Sequence, residues 1–185
     1  MPKVLVPLAD GFEEIEAMAI IDVLRRAGIE VTVAGLHSGP AVSARRVKVI
    51  PDTTIEMMTS DDFDMIVLPG GQPGSDNLNA DERVRGLIRD FHKSGKLTGA
   101  ICAAPYVLAA AGILEGKKAT SYPSYSGKLA GAIYQDKTVV EDGKIMTSRG
   151  PGTAVCFALA IVEKLVGKEK ADAVKEAMLV TDDCN

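Results

Sequence analysis

The sequence predicts an α/β fold, a three-layer sandwich with helices on both faces of a mainly parallel sheet. Short, mostly apolar runs at 4–8, 64–68 and 97–101 read as strands buried on both sides. Segments with helical spacing alternate with them, the pattern of β-α-β units. Gly and Pro punctuate the junctions, and hydrophobic residues make up 46% of the 185, enough for one domain with a sizeable core.

Taken in order, residues 3–8 form the first strand, broken by Asp10-Gly11. From Glu13, the positions Ile15, Met18, Ala19, Ile21, Val23 and Leu24 keep helical spacing until Gly28, a C-terminal cap. Residues 30–35 are a second strand, parallel to the first because a helix joins them. Residues 41–50 alternate as a small hairpin or edge strands, and 64–68 are a further buried strand that runs into the glycine-rich loop 69–74. A helix over 81–93, a strand at 97–101 and a helix from Pro105 to Ala111 follow. Two short strands flank the hairpin turn Asp142-Gly143, and helices over 154–166 and 170–179 close the chain. We expect one domain over 1–180 and a frayed polar tail over 181–185.

Composition excludes several functions. The net charge is −4, and the densest basic cluster, Arg45-Arg46-Val47-Lys48, lacks interleaved aromatics, so no nucleic-acid partner is expected. Four Phe, four Tyr and no Trp argue against stacking platforms. The start lacks a charged leader with a long apolar run, and no apolar stretch is long enough to span a bilayer, so a cytoplasmic location without membrane contact is expected. Three cysteines, Cys102, Cys156 and Cys184, make neither a CxxC pair nor an even set, so free thiols in a reducing compartment are expected. No metal is expected, because the two histidines and three cysteines do not cluster. Residues 112–118 superficially suggest a phosphate-binding loop, but the spacing is one residue short and the final Ser or Thr is missing.

Cys102 sits where a buried strand hands over to a helix, in Gly-Ala-Ile-Cys-Ala-Ala-Pro (99–105). Ala103 and Ala104 keep the turn open, and Pro105 suits the first helical turn. Two readings stand on these residues: a small packed hydrophobe, or a nucleophile on an elbow with its thiol pKa lowered by the helix start. Cys156 lies in an apolar helix and reads as a packed core thiol, and Cys184 lies in the polar tail. The loop Pro69-Gly70-Gly71 offers backbone N–H groups to an oxyanion or a phosphate. At the first strand end, Glu13 and Glu14 suit a helix start, whereas periodicity turns Glu16 towards the core, where it would hold its proton beside a thiolate. Neither His37 nor His92 is placed to serve as a base for Cys102.

These pieces resemble the ThiJ/PfpI family, in the branch of the parkinsonism-associated deglycase (DJ-one) and YajL-type bacterial proteins. The resemblance covers nearly the whole chain and rests on residues 9–16, 31–35, 67–71, 100–105 and 147–153, in that order. It implies a flavodoxin-like fold, a homodimer and no cofactor. It matches Cys102 to the nucleophile, Glu16 to its protonated carboxyl partner, and Gly71 and Ala103 to the oxyanion N–H donors. It matches Arg26 and Arg45 to arginines reaching the site from the other subunit, with Arg149 and Pro151 in a loop near that interface. Ala103 stands where protease-like members carry His, which removes a Cys-His-acid triad. Tyr122 stands where the parkinsonism-associated relative has His, and it can hydrogen-bond substrate but is a poor base near neutral pH. The implied function is a cofactor-independent glyoxalase or protein deglycase acting on methylglyoxal, glyoxal and their early adducts. The alternative is a redox-sensing thiol protein or oxidation-dependent chaperone, and an intracellular cysteine peptidase is the least supported reading.

Overall fold

The computed structural model describes every residue except Asp182, Asp183 and Asn185. Strand β1 (Lys3–Leu8) leads through a tight loop into helix α1 (Glu14–Arg26) and strand β2 (Glu30–Gly35). Gly28, at φ 79°, closes α1 with the Ile29 N–H on the Leu24 carbonyl, the glycine-terminated helix end the sequence predicts. The hairpin β3 (Ala41–Val42) and β4 (Lys48–Val49) precedes edge strand β5 (Thr53–Thr54). Then come β6 (Met65–Leu68), α2 (Gly74–Ala80), α3 (Glu82–Lys93), β7 (Leu97–Ile101) and α4 (Pro105–Ala110). The short strands β8 (Lys118–Ala119) and β9 (Ile133–Tyr134) pair with each other. Strands β10 (Val139–Asp142) and β11 (Ile145–Ser148) and helices α5 (Ala154–Val166) and α6 (Lys168–Ala177) complete the chain.

The main sheet runs β10-β11-β7-β6-β1-β2-β5, parallel throughout except for β10. Alternation along each strand splits the core into two layers. Val4, Val6 and Leu8 of β1, with Met65 and Val67 of β6, pack against α1, α5 and α6. Leu5, Ile66 and Leu68 pack on the other face with Leu78 of α2, Val84, Ile88 and Phe91 of α3 and Val107 and Leu108 of α4. The parallel order brings the carboxyl ends of β1, β6 and β7 together on one edge, where loops rather than strands finish the surface.

Two expectations change. Residues 74–80 form α2, where the sequence predicts that the glycine-rich loop ends at Gly74 and a helix begins only at Asp81, because Gly74 packs against the Gly11 backbone and starts a helix that buries Leu78. Cys156 and Cys184 are not free: they form a disulfide, with Cα atoms 5.1 Å apart. The joint at Gly167 folds α6 onto α5 and returns the chain end to the first turns of α5, a meeting that a separation of 28 residues does not advertise. Of the tail expected to fray, Asp182, Asp183 and Asn185 lie outside the described residues, while Cys184 is anchored to Cys156 and packs against the core.

Candidate active site

Cys102 follows the last residue of β7 and adopts φ 63°, the left-handed region, where a residue with a Cβ costs about 1–2 kcal/mol. Its peptide is pinned on both sides. The Cys102 N–H donates to the Ser148 carbonyl at 3.0 Å, extending the β7–β11 ladder by one bond, and its carbonyl accepts from the Tyr122 N–H at 2.8 Å. Pro105 then opens α4 within three residues. The strand, the sharp turn and the helix make the nucleophile elbow the sequence predicts. Cys102 is the free thiol among the three cysteines, and it is half-buried.

Glu16 lies in the first turns of α1 with no solvent exposure. Its Oε2 accepts from the Gly70 N–H at 2.8 Å, whereas Oε1 is buried without a hydrogen-bond partner of its own. Burial raises this carboxyl from its ordinary 4.5 to about 7, with hydrogen bonds from Cys102 and Gly70 opposing and the charge of Glu13 adding. Glycine at 70 is what permits the approach: a Cβ there would sit 2.7 Å from both the Cys102 Cβ and Glu16 Oε2. Gly71 is fixed by a second constraint, a φ of 97°, and a Cβ there would sit 2.3 Å from the Glu13 nitrogen and 2.6 Å from the Gly11 carbonyl oxygen.

The thiol does not behave as its helix start suggests. Burial pushes Cys102 up to about 12, a negative charge on Glu16 adds to the rise, and the N–H groups of Ala103 and Gly71 pull against it. Helix α4 begins three residues downstream and is only six residues long, so its dipole is small beside the loss of water around sulfur. The same two N–H groups are the ones sequence reasoning placed at an oxyanion pocket, and both face the sulfur.

A cavity of about 280 Å³ opens over Cys102, lined by Gly71 and Ala103 and rimmed by residues such as Glu13, Arg45, Tyr122 and Pro151. Tyr122 is 46% exposed on the rim, its ring lying against Gly150. Arg45 and Pro151 line the Cys102 pocket of their own chain, where Arg45 is held by Glu13 at 2.9 Å. Arg26 pairs with Asp22 on the open side of α1, and Arg149 pairs with Asp136, so neither lines this cavity. His37 bonds Asp10 at 3.0 Å away from the thiol, and His92 is exposed, in keeping with surface positions for both. Among the described residues no group of three or more His, Cys, Asp or Glu is arranged to hold a metal ion.

Sequence reasoning passed over Glu13, Gln72, Ser124 and Tyr125, which also line the cavity. Glu13 was within reach, since it immediately precedes α1 and stands three residues before Glu16. The others come together only when the 3-10 turn at Pro123–Lys128 closes over the loop after β6, where the Gln72 amide donates to the Tyr125 hydroxyl.

A family model described as the DJ-1/PfpI family matches residues 2–164. The chain belongs to the DJ-1/PfpI family. It is 51% identical over 179 residues to the Drosophila melanogaster protein dj-1beta, covering 95% of this chain and 96% of that one. The crystal structure of Drosophila melanogaster DJ-1beta superposes with a TM-score of 0.95 at 49% identity, covering 98% and 99% of the two chains. A Caenorhabditis elegans relative named glutathione-independent glyoxalase DJR-1.2 is 39% identical over 173 residues, covering 92% of this chain and 91% of that one. The curled, mainly parallel sheet is therefore the flavodoxin-like DJ-1/PfpI fold. Among the described residues, no helix is long and apolar enough to cross a membrane.

Proposed function

We propose that this DJ-1/PfpI protein is a cofactor-independent glyoxalase of the deglycase type, acting on methylglyoxal or glyoxal and their early adducts. The observation that carries the reading is the pairing of a strained, free thiol with a fully buried carboxyl that titrates near neutrality. The two groups hold one proton between them once pH reaches about 7, so a thiolate beside a neutral Glu16 is one arrangement of the pair. The thiolate adds to the aldehyde carbon, forming an S–C bond, and the oxyanion meets the Gly71 and Ala103 N–H groups before taking the Glu16 proton. The Glu16 carboxylate then removes the C1 hydrogen, the hydroxyl proton passes between the two oxygens, and Glu16 delivers its proton to C2. The result is a lactoyl thioester. Water cleaves it, giving its proton to Glu16 and its hydroxyl to the acyl group, and the thiolate leaves. The balance is one methylglyoxal and one water to one lactic acid. Glyoxal gives glycolate by the same path.

The name of the Caenorhabditis elegans relative supports this chemistry. Tyr122, on the rim, offers a hydroxyl to the second carbonyl. The test is lactate formation from methylglyoxal by wild type, Cys102→Ser and Glu16→Gln. We expect lactate formation to be lost in Cys102→Ser and to fall steeply in Glu16→Gln, and lactate no higher in wild type than in Cys102→Ser overturns the reading. A sensing role uses the same pair, with Cys102 oxidised to a sulfinate beside the Glu16 carboxyl, and is favoured if peroxide adds two oxygens to Cys102 in a protein without turnover. We also propose a homodimer, supported by the exposed apolar residues Ile15 and Met18 on α1 and tested by light scattering.

A further inference from the structure

We propose that Cys156 and Cys184 are a second redox site, a reversible thiol–disulfide pair that fastens the C-terminal segment over α5 and takes small thiols or dithiol proteins as its reductants. The bond is not sealed in the core: both cysteines are half-buried, and both line an open groove of about 240 Å³ bordered by Val139, Leu159, Ala160 and Ala171. A reagent can therefore reach sulfur without unfolding the sheet. The rim of the groove carries the ammonium groups of Lys168 and Lys175, which suit an approaching thiolate, alongside Glu163 and Asp172. The groove already has its occupant in this chain's own end, for Met178, Val180 and Cys184 pack against the same core layer as α5.

This site differs in kind from Cys102. Among the described residues no second cysteine lines the Cys102 cavity, so oxidation there adds oxygen to sulfur. At Cys156–Cys184 the chemistry is exchange. A reductant thiolate attacks one sulfur, the S–S bond breaks, and the departing sulfur takes a proton. A second thiol, the dithiol's own or that of a second small-thiol molecule, then resolves the mixed disulfide. Two electrons and two protons reach the protein, and the reductant leaves as a disulfide. Glutathione disulfide reverses the reaction by the same steps.

The full chain, equilibrated across glutathione redox buffers and quenched with a maleimide, gives the test by intact mass. We expect one label per chain on the oxidising side and three on the reducing side, and none and two in a Cys102→Ala variant. We also expect limited trypsin to release the peptide after Lys175 from the reduced protein only. Three labels at every ratio would show that the bond does not form. One label at every ratio would show an inert structural bond, and either result overturns the proposal. Equal release of the terminal peptide in both states overturns the fastening.

Discussion

Glu16 and Cys102 cannot both be charged cheaply, and this governs how the site responds to pH. With Glu16 raised to about 7 and the thiol pushed up to about 12, the pair is neutral below pH 7 and carries one negative charge above it. The reaction starts from the singly charged pair, so kcat/KM for methylglyoxal is expected to rise with pH through about 7. Glu16→Gln removes that limb and lowers the rate by about 100-fold or more, as the loss of a proton-transfer group does. The same carboxyl leaves a mark on stability. Its folded value lies above its ordinary 4.5, so between pH 4.5 and 7 the folded chain keeps a proton that the unfolded chain releases. Its stabilising contribution is whole below pH 4.5 and falls as pH rises through 7, by about 3 kcal/mol in all. Urea unfolding at pH 5 and pH 8 should therefore show Glu16→Gln gaining most of that amount relative to wild type across the window. Parallel profiles would mean that Glu16 is not buried in its charged form.

The connection from β11 to α5 holds the site at the level of elements. Ser148, the last residue of β11, accepts from the Cys102 N–H, and Pro151, three residues on, lines the cavity. The Thr153 hydroxyl ties this turn together: it contacts Ser148 Oγ at 2.7 Å, donates to the Gly150 carbonyl at 2.9 Å and accepts from the Gly150 N–H at 3.1 Å. Thr153→Val keeps the shape and removes the hydroxyl, leaving half-buried polar groups without it. The expected cost is about 1–2 kcal/mol in chemical denaturation. A rise in KM larger than the fall in kcat is expected too, because the turn borders the mouth of the cavity rather than the thiol. An unchanged KM would detach Pro151 from substrate binding.

At the scale of the whole molecule, what the sequence shows depends on how local the cause is. The strands that reach the site are legible because they are buried on both faces and read as mostly apolar runs, as at Val4, Leu5 and Val6. Cys102 and Glu16 are legible because a strand-to-helix turn and a carboxyl on the apolar side of a helix are local patterns. The raised thiol is not, since it comes from burial beneath a loop 30 residues away and beside a carboxyl 86 residues away. The Cys156–Cys184 bond is likewise a product of how α6 folds back on α5. That bond closes a loop with a sequence separation of 28, which in the chain-entropy account stabilises the fold by about 3–4 kcal/mol. For a chain of 185 residues this is a fall in Tm of about 10 °C when the bond is lost. Cys184→Ser should show that fall without added reductant and no further fall with it, whereas wild type should fall only when reduced. Because the bond lies away from the Cys102 cavity, methylglyoxal turnover at 25 °C should be the same in both proteins. A Cys184→Ser protein that melts with wild type under oxidising conditions would show that the closed loop carries no stability.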